Sequence, residues 1–386
     1  MELGGAEKSL IGLLENLDLS RCTVDLFLLR QQGELMSSIP PGINLLPEKA
    51  AYTVLARPLK DVLKEGHVLL TAARMTAKIA AALYNRFHGY RDSNVGLEYS
   101  HKFTAPFMPA IMPDREYDLA VSFLTPHYFT AQKVRAKKKI AWIHTDYSKV
   151  QVNQTSEIKM WDAYDYIASI SPAVSESFLD VFPSLDSKIL PVHNILPENL
   201  IRQQACAFSA AEEMPAGPVR ILSVGRFCTA KNFDNVPDIC ARIRRDGVNA
   251  VWYLIGFGPD ESLIRRKITE AGMDDYVIIL GKKENPYPYI GACDLYVQPS
   301  RYEGHCVSVC EAQLLGKPVV ITAYATAPSQ LENGADGIIV PMDNELCAKE
   351  IVRLVRQPDA MEALAANCRS RDYTNASETE KIYSIL

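Results

Sequence analysis

The chain has 386 residues, of which 48% are hydrophobic and 23% charged, and its formal charge at pH 7 is −5. At about 100–200 residues per domain, this length predicts two domains. The composition is that of a soluble globular protein, and the acidic balance argues against a nucleic-acid-binding protein. No apolar run approaches the roughly 18 residues that span a bilayer, and the start MELGGAEKSL resembles neither a signal nor a transit peptide. We therefore expect a cytoplasmic protein.

The nine cysteines are scattered and form no C-x-x-C pair. In a reducing compartment this pattern predicts buried thiols and not a disulfide framework. Cys306 and Cys310 beside His305 are the one group that suggests metal ligands. No second Cys/His cluster has ligand spacing, so we expect no metal site.

Short apolar stretches alternate with amphipathic ones along the chain, which predicts an α/β fold with parallel sheets. A first set of predicted strands covers 23–30, 117–123, 138–144, 166–171 and 188–194. A second set covers 219–227, 250–258, 276–281, 293–300, 317–323 and 337–341, with helices at 233–247, 260–272 and about 308–315. The sequence therefore predicts two Rossmann-like domains.

The segment 198–218 is polar, rich in alanine and interrupted by proline, which is typical of a linker. We place the amino-terminal domain at 1–197, joined by the carboxyl-terminal segment 370–386, and the carboxyl-terminal domain at 198–369. Two facing domains of this type bind ligands in the cleft at the carboxyl ends of their strands. A doubly wound domain normally opens with a strand, yet the helical stretch GGAEKSLIGLLENL begins three residues after Met1. We expect the first strand to be absent and the start to be truncated.

The stretch SVGRFCTAKNFDN (223–235) combines a strand end at Gly225 with two cations, Arg226 and Lys231, before a helix that starts near Asp234. Backbone amides at a helix start favour anions, and a guanidinium with an ammonium beside them would suit a diphosphate. The alternative is a solvated loop with ordinary surface cations. Both interpretations are open on this motif alone.

Two further glycine motifs would allow backbone to approach a ligand closely. Gly4 and Gly5 precede the first helix, and IGFGPD (255–260), with Gly256, ends another predicted strand. A glycine pair is a weak signal by itself. For Gly256, a chain turn without a ligand is the more economical interpretation.

Two carboxylates, Glu303 and Glu311, stand in SRYEGHCVSVCEAQLLGKPVV (300–320), where the other residues are mostly small, apolar or turn-forming. Ser308 and Glu311 have the S-x-x-E spacing of a helix capping box, which would explain Glu311 without a ligand. For Glu303 the local alternative is a salt bridge to Arg301.

Taken together, GGAEKSL, SVGRF followed by KNFD, IGFGPD and PSRYEG with an E-x7-E pattern resemble the GT-B glycosyltransferases of family 4, which are retaining and metal-independent. WIHTDYS (142–148), VSESF (174–178) and HNIL (193–196) fall where such proteins carry similar segments. The resemblance runs over essentially the whole chain. It implies two facing Rossmann-like domains with an inter-domain cleft.

The resemblance also implies roles for the residues of these motifs. Arg226 and Lys231 would neutralise the donor diphosphate as it leaves. Glu303 would hold hydroxyls of the donor sugar, and Glu311 would accept hydrogen bonds from the ribose diol. The backbone amides around 304–308 would contact phosphate or sugar oxygens. The residues that would complete the donor site are Gly225, Gly256, Gly304, His305, Cys306 and Val307. His305 departs from the family, which commonly has a larger apolar residue there.

On the acceptor side, the resemblance implies that Gly4 and Gly5 form a loop and that His144 approaches the donor sugar. His144 would orient a hydroxyl, and its backbone carbonyl would help to stabilise a cationic sugar; it is not assigned as a nucleophile. Retaining transfer in this family is generally described as same-face attack, in which the leaving phosphate draws the acceptor proton. No flanking carboxylate pair of the glycosidase kind is then required.

The implied activity is transfer of a hexose-type sugar from a nucleotide diphosphate sugar to a hydroxyl of a cell-envelope glycan or glycolipid intermediate, without further cofactor. A GT-B epimerase or phosphorylase is a rival, and a catalytically inactive or truncated nucleotide-sugar-binding GT-B protein is the alternative from another class. Lys137, Lys138 and Lys139 suggest either a peripheral contact with the inner face of a membrane or the solvated start of a strand.

Overall fold

The computed structural model describes residues 5–90, 93–303 and 305–386, so the predictions for Gly4 and Gly304 lie outside the described residues. The strands are β1 Asp25–Leu26, β2 Asn44–Leu45, β3 Tyr117–Ser122, β4 Ala136–Ile143, β5 Tyr166–Ser169, β6 Ile189–Pro191, β7 Val219–Val224, β8 Ala250–Ile255, β9 Val277–Gly281, β10 Leu295–Gln298, β11 Val319–Thr322 and β12 Ile338–Val340.

The α-helices account for most of the remaining chain, together with short 3₁₀ turns. They are α1 Gly5–Glu15, α2 Ala50–Thr53, α3 Leu59–Lys64, α4 Val68–His88, α5 Val95–Thr104, α6 Tyr128–Lys133, α7 Gln154–Trp161, α8 Pro172–Val181, α9 Glu198–Ala205, α10 Val236–Arg245, α11 Glu261–Glu270, α12 Tyr287–Ala292, α13 Val307–Leu314, α14 Ala327–Gln330, α15 Asn344–Val355, α16 Pro358–Ser370 and α17 Thr379–Tyr383.

The chain divides into two compact units. The amino-terminal unit comprises Met1–Ile195 and Asn375–Leu386, and the carboxyl-terminal unit comprises Leu196–Thr374. Ile382 and Ile385 of the last segment are buried in the core of the amino-terminal unit. The sequence places the corresponding boundaries at 197/198 and 369/370.

In the carboxyl-terminal unit, six parallel strands form one sheet in the order β12-β11-β10-β7-β8-β9. Residues along β8 alternate between two apolar layers: Trp252 and Leu254 face one layer, and Tyr253 and Ile255 face the other. Alternation with both faces buried is the reason for the continuous apolar run in this strand. This strand order places β7, the first strand of the unit, between β8 and β10, which is the doubly wound arrangement.

The predicted linker at 198–218 is part of this unit's core, so that prediction was wrong. Residues 198–205 form α9, and Leu200, Ile201 and Met214 are buried. The Glu213 carboxylate accepts a hydrogen bond from Lys283 Nζ at 2.7 Å. The polar composition of the segment hid the few apolar side chains that are buried in it.

In the amino-terminal unit, the parallel strands form two separate sheets, β1-β2 and β3-β4-β5-β6. The prediction of a strand at 23–30 is met by two paired residues only, and β2 was not predicted. A cavity of about 1230 Å³ lies between the segment around β1 and the segment around β3, and leucines of α1 also line it. Asp25 and Tyr117 bridge the two segments, with Tyr117 Oη donating to Asp25 Oδ2 at 2.6 Å.

Local sequence signals explain several helix starts. Ser171 is the N-cap of α8, its hydroxyl accepts from the Val174 amide at 3.3 Å, and Pro172 occupies the first helical position. Asp343 caps α15 in the same way, accepting from the Leu346 amide at 2.9 Å.

Candidate donor-binding site

The candidate site lies at the carboxyl ends of the central strands of the carboxyl-terminal unit. After β7 ends at Val224, the chain passes Gly225 and Arg226 and forms a 3₁₀ turn at Thr229–Lys231. A Cβ atom on Gly225 would lie 3.2 Å from Lys231 Cε, so the small residue lets the lysine fold back across the strand end. The strand end and Lys231 are therefore in contact.

Lys231 and Glu303 form an ion pair, with Lys231 Nζ 2.6 Å from Glu303 Oε1. Ser300 Oγ donates to the same carboxylate oxygen at 2.6 Å. Burial alone would lower the pKa of the Lys231 ammonium, but the neighbouring Cys306 and the Glu303 carboxylate outweigh it and raise that pKa. Lys231 therefore remains a cation at neutral pH.

The proposed alternative for Glu303, a salt bridge to Arg301, is wrong. The Arg301 guanidinium binds both oxygens of Asp234, each at 2.9 Å, and its NH1 also donates to the Thr229 carbonyl. Burial would raise the pKa of Asp234, but the hydrogen bonds and charges of Arg301 and Lys267 outweigh it and lower the pKa. These contacts fasten the segment that carries Glu303 to the turn that carries Lys231.

Arg226 lies at the same strand end, and its side chain is exposed. Neither an ion pair nor a side-chain hydrogen bond involves Arg226 within residues 5–90, 93–303 and 305–386. An uncompensated guanidinium beside a strand end is the arrangement that an incoming anion requires.

Helix α13 begins at Val307, and its N-cap residue is Cys306. The Cys306 amide donates to Gln330 Oε1 at 2.7 Å, and Ser308 Oγ donates to the Val224 carbonyl at 3.3 Å. In the described part of the chain the amides of Val307 and Ser308 have no partner. The start of α13 is thus tied to the end of β7 and presents two backbone donors there.

The capping-box interpretation of Glu311 is wrong, because Ser308 lies inside the first turn of the helix and not at its N-cap. The Glu311 carboxylate accepts a hydrogen bond from Tyr287 Oη at 2.7 Å. Burial, and then the Glu311 charge, raise the pKa of Tyr287 well above its ordinary value. Glu311 is therefore held by α12, the neighbouring helix.

Gly256 has a structural reason to be glycine. Its φ is +152°, and a Cβ atom would lie 1.9 Å from the Gly225 carbonyl oxygen. Its amide donates to the Gly281 carbonyl at 2.9 Å. Close packing of backbone between the ends of β7, β8 and β9 therefore accounts for Gly256 without a ligand.

Of the remaining predicted residues, His305 is exposed, and its Nε2 lies 3.3 Å from Cys310 Sγ. In the amino-terminal unit, Gly5 is the first residue of α1. An added Cβ atom there would meet no atom of the described residues within 4 Å beyond its own helix backbone. His144 follows β4 against Phe123, and its Nε2 is buried without a hydrogen-bond partner among the described residues. Burial lowers the pKa of His144 to about 4, so its ring is neutral at neutral pH.

Sequence reasoning missed the polar residues that support Glu303. Tyr296 Oη donates to Gln298 Oε1, Gln298 Nε2 donates to Ser300 Oγ, and the Ser300 hydroxyl reaches Glu303. Thr326 Oγ1 donates to the Glu303 carbonyl at 2.8 Å. Polar residues inside the apolar strand β10 were the available signal, because buried polar groups need partners.

The structure contains no group of three or more His, Cys, Asp or Glu side chains placed to hold a metal ion in the portions described. Cys306 and Cys310, which the sequence raised as potential ligands, are buried. Burial is also the largest cause of the raised pKa of each thiol.

Solved structures resemble this chain along its length. The glycosyltransferase HepE of Anabaena, crystallised with UDP-glucose, matches with a TM-score of 0.59 and 16% identity over 99% of this chain and 96% of that chain. A glycosyltransferase of Rickettsia africae matches with a TM-score of 0.57 and 13% identity, over 99% and 94% of the two chains. At these identities the likeness shows the fold, which is the predicted GT-B fold.

Residues 207–371 match the family model described as "Glycosyl transferases group 1". The predicted family resemblance is therefore confirmed: the carboxyl-terminal unit carries a glycosyl transferases group 1 domain in a chain of GT-B fold.

Three curated relatives align with this chain over less than half of their own length. WcaL of Salmonella typhimurium, a putative colanic acid biosynthesis glycosyltransferase, is 25% identical over 45% of this chain and 46% of its own. AmsK of Erwinia amylovora, an amylovoran biosynthesis glycosyltransferase, is 28% identical over 36% of each chain. A Campylobacter jejuni N-acetylgalactosaminyltransferase named for a diphospho-undecaprenol acceptor is 27% identical over 38% of this chain and 40% of its own.

Proposed function

We propose that this protein transfers a hexose-type sugar from a nucleoside diphosphate donor to a hydroxyl of a cell-envelope glycan or glycolipid intermediate, with retained anomeric configuration. The observation that carries the proposal is the meeting of Arg226, Lys231, Glu303 and the start of α13 at the end of β7. This is where a doubly wound sheet binds its ligand.

The diphosphate is assigned to the cations and the helix start. Arg226 is available as an uncompensated charge, Lys231 is a cation held by Glu303, and the amides of Val307 and Ser308 are free to donate within the described residues. Positive charge placed where the leaving diphosphate gains negative charge stabilises the transition state. Because these groups supply the charge, we propose transfer without a metal ion.

The donor sugar is assigned to Glu303 and the ribose to Glu311. Lys231 and Ser300 both bind Glu303 Oε1, whereas Oε2 has no partner among the described residues and can accept a sugar hydroxyl. Glu311 stands one turn into α13, where Tyr287 orients its carboxylate. An ionised acceptor that binds two hydroxyls would contribute about 1.5–3 kcal/mol to donor affinity.

The acceptor class rests on the relatives. The names of WcaL and AmsK refer to colanic acid and amylovoran biosynthesis, and the name of the Campylobacter protein gives a diphospho-undecaprenol acceptor. We propose an acceptor of the same kind for this chain, and His144 as a neutral ring that orients a hydroxyl from the amino-terminal unit.

The test measures donor binding by calorimetry and donor turnover by release of the nucleoside diphosphate, with a panel of UDP- and GDP-hexoses in EDTA. We expect binding of at least one donor and a fall in turnover of about 10²-fold or more in Arg226→Ala and in Lys231→Ala. Arg265→Ala is the matched control, since Arg265 is an exposed arginine of the same unit paired only with Glu261 among the described residues.

Several outcomes would contradict the proposal. Unchanged turnover in either site variant would exclude that residue, and an absolute requirement for Mg²⁺ or Mn²⁺ would exclude metal-independent transfer. Donor binding without turnover, with every acceptor extract tried, would favour the alternative of an inactive nucleotide-sugar-binding protein. The anomeric configuration of the product, read by NMR, tests retention.

A further inference from the structure

Helix α4 is apolar on both of its faces. Its inner face, which includes Leu70, Ala73, Ala77 and Ala81, is buried. Its outer face carries six large apolar side chains that are between 51% and 85% exposed: Val68, Leu69, Met75, Ile79, Leu83 and Phe87. A helix that is hydrophobic all round is normally covered on all sides.

The exposed residues form one continuous stripe, which we call the α4 stripe and define as those six residues. Met75, Ile79, Leu83 and Phe87 follow each other at intervals of four, so they lie along one side of the helix. With 21 residues, α4 is about 31 Å long at 1.5 Å per residue. Large exposed apolar patches of this kind mark sites of interaction with a partner or a membrane.

The charges of α4 have one sign. The helix contains Arg74, Lys78 and Arg86 and no aspartate or glutamate, in a chain whose formal charge is −5. Arg74 is buried and donates to the Arg57 carbonyl at 2.7 Å, whereas Lys78 and Arg86 are exposed. A cationic and strongly apolar exposed face is the pattern of helices that lie in the interface of an anionic bilayer.

Neighbouring helices hold α4 in place. Residues of α3 and α5 pack against it, and Leu63 of α3 and Leu97 of α5 add further exposed apolar side chains, at 51% and 52%. The α4 stripe is therefore presented by a folded unit. No helix in the described ranges is long and apolar enough to cross a membrane, and α4 falls under that finding.

The alternative basic surface raised by the sequence, Lys137–Lys139, does not form one patch. Lys137 Nζ is 2.7 Å from Asp118 Oδ1, Lys138 Nζ donates to the Ile385 carbonyl, and Lys139 Nζ donates to the Ala131 carbonyl. Successive side chains of a strand point to opposite faces, which separates the middle lysine from the other two.

We propose that the α4 stripe docks this protein on an anionic lipid surface, with Met75, Ile79, Leu83 and Phe87 inserted among the acyl chains and Lys78 and Arg86 against the headgroups. In a symmetric contact between two copies, Lys78 and Arg86 of one α4 stripe would face the same cations of the other, so like charges disfavour that occupant. The proposal does not depend on glycosyl transfer, because it is tested without donor or acceptor.

The test is cosedimentation of the full chain with two kinds of vesicle. One is phosphatidylcholine alone, and the other contains about 30% phosphatidylglycerol, which is anionic. We expect binding to the anionic vesicles, and a partition coefficient at least about 10-fold lower for the triple variant Ile79→Ser, Leu83→Ser, Phe87→Ser. Lys78→Glu with Arg86→Glu should lower the partition coefficient by about 10-fold or more as well, because anionic lipids attract each cation and repel the glutamate that replaces it.

Met342→Ser with Leu346→Ser is the matched control, because both side chains are exposed, at 42% and 47%, in the other unit. A Phe87→Trp variant should shift its fluorescence to the blue with anionic vesicles, since the ring enters an apolar medium. Equal binding of the stripe and control variants would overturn the proposal. A second result would also overturn it: the wild type does not bind vesicles but forms a dimer without lipid in sedimentation equilibrium, and the triple variant does not form that dimer.

Discussion

The two units of this protein differ in how their strands are paired. In the carboxyl-terminal unit, the first strand, β7, lies between β8 and β10, and the residues that follow it meet Lys231, Glu303 and α13. In the amino-terminal unit, the space between the segments of β1 and β3 is a cavity of about 1230 Å³. A central strand that is paired on both sides holds a strand end rigidly, so the comparison explains why the carboxyl-terminal unit has the better-defined site.

The two units also differ in their glycines at strand and helix ends. We expect Gly256→Ala to lower the free energy of unfolding by at least about 3 kcal/mol, because its Cβ would lie 1.9 Å from a backbone oxygen that cannot move alone. Gly5→Ala should change it by less than about 0.5 kcal/mol, since among the described residues the added methyl group meets no atom within 4 Å beyond its own helix backbone. Urea denaturation measures both.

A Gly256→Ala variant as stable as the wild type would show that β7 and β8 are not packed as described. The comparison between the units would then lose its basis, because Gly256 joins the ends of the central strands.

Acid should weaken the amino-terminal unit first. His101 and His127 are buried there, and burial lowers their pKa values to about 4 and about 3, whereas His305 of the other unit is exposed. A neutral buried histidine contributes stability that is present above its unfolded pKa of about 6.5 and is lost as the pH falls. Each histidine with a lowered pKa therefore reduces the free energy of unfolding by about 1.4 kcal/mol per pH unit below 6.5, until the folded-state pKa is reached.

Glu157 in the same unit acts in the opposite direction. Burial, and then the charge of Glu98, raise its pKa to about 7, so its contribution grows as the pH falls from 7 towards 4.5. The two histidines outweigh the one glutamate, so the amino-terminal unit should lose stability between pH 6.5 and 4.5, and His144, whose pKa is also lowered, adds to the loss.

Hydrogen exchange followed by mass spectrometry at several pH values, corrected for intrinsic rates, separates the units. We expect amides of β3, β4 and β5 to lose protection over that range while those of β7 and β8 keep it. In His127→Gln the loss should be smaller. Equal losses in both units would contradict the assignment of acid sensitivity to the buried histidines.

The smallest expected effect distinguishes binding from structure at Glu311. Glu311→Gln keeps the shape and can still accept from Tyr287, so Tm should barely move, while donor affinity should fall by about 10- to 100-fold if Glu311 binds the ribose. Ser308→Ala is the control, because its hydroxyl reaches Val224 and caps no helix. Normal donor binding by Glu311→Gln would limit Glu311 to supporting α12.

Most strands were predictable because each is a short apolar run whose pattern survives in any tertiary context. β8 was expected at 250–258 and found at Ala250–Ile255, and β3 was expected at 117–123 and found at Tyr117–Ser122. The prediction of a linker at 198–218 was wrong because it rested on the average polarity of the segment, whereas Leu200, Ile201 and Met214 within it are buried. The two-residue strand β2 gave too short a pattern to detect.

The sequence by itself determined the α/β class, the family resemblance and the residue types of the candidate donor site, since these depend on local periodicity and on motifs of fixed spacing. Only the tertiary structure decided the partners: Glu303 binds Lys231 and not Arg301, and Glu311 binds Tyr287. It also showed that α4 leaves an apolar face uncovered. Partners and exposure depend on contacts between residues far apart in the chain, and local patterns carry no information about which of several nearby charges or surfaces will meet.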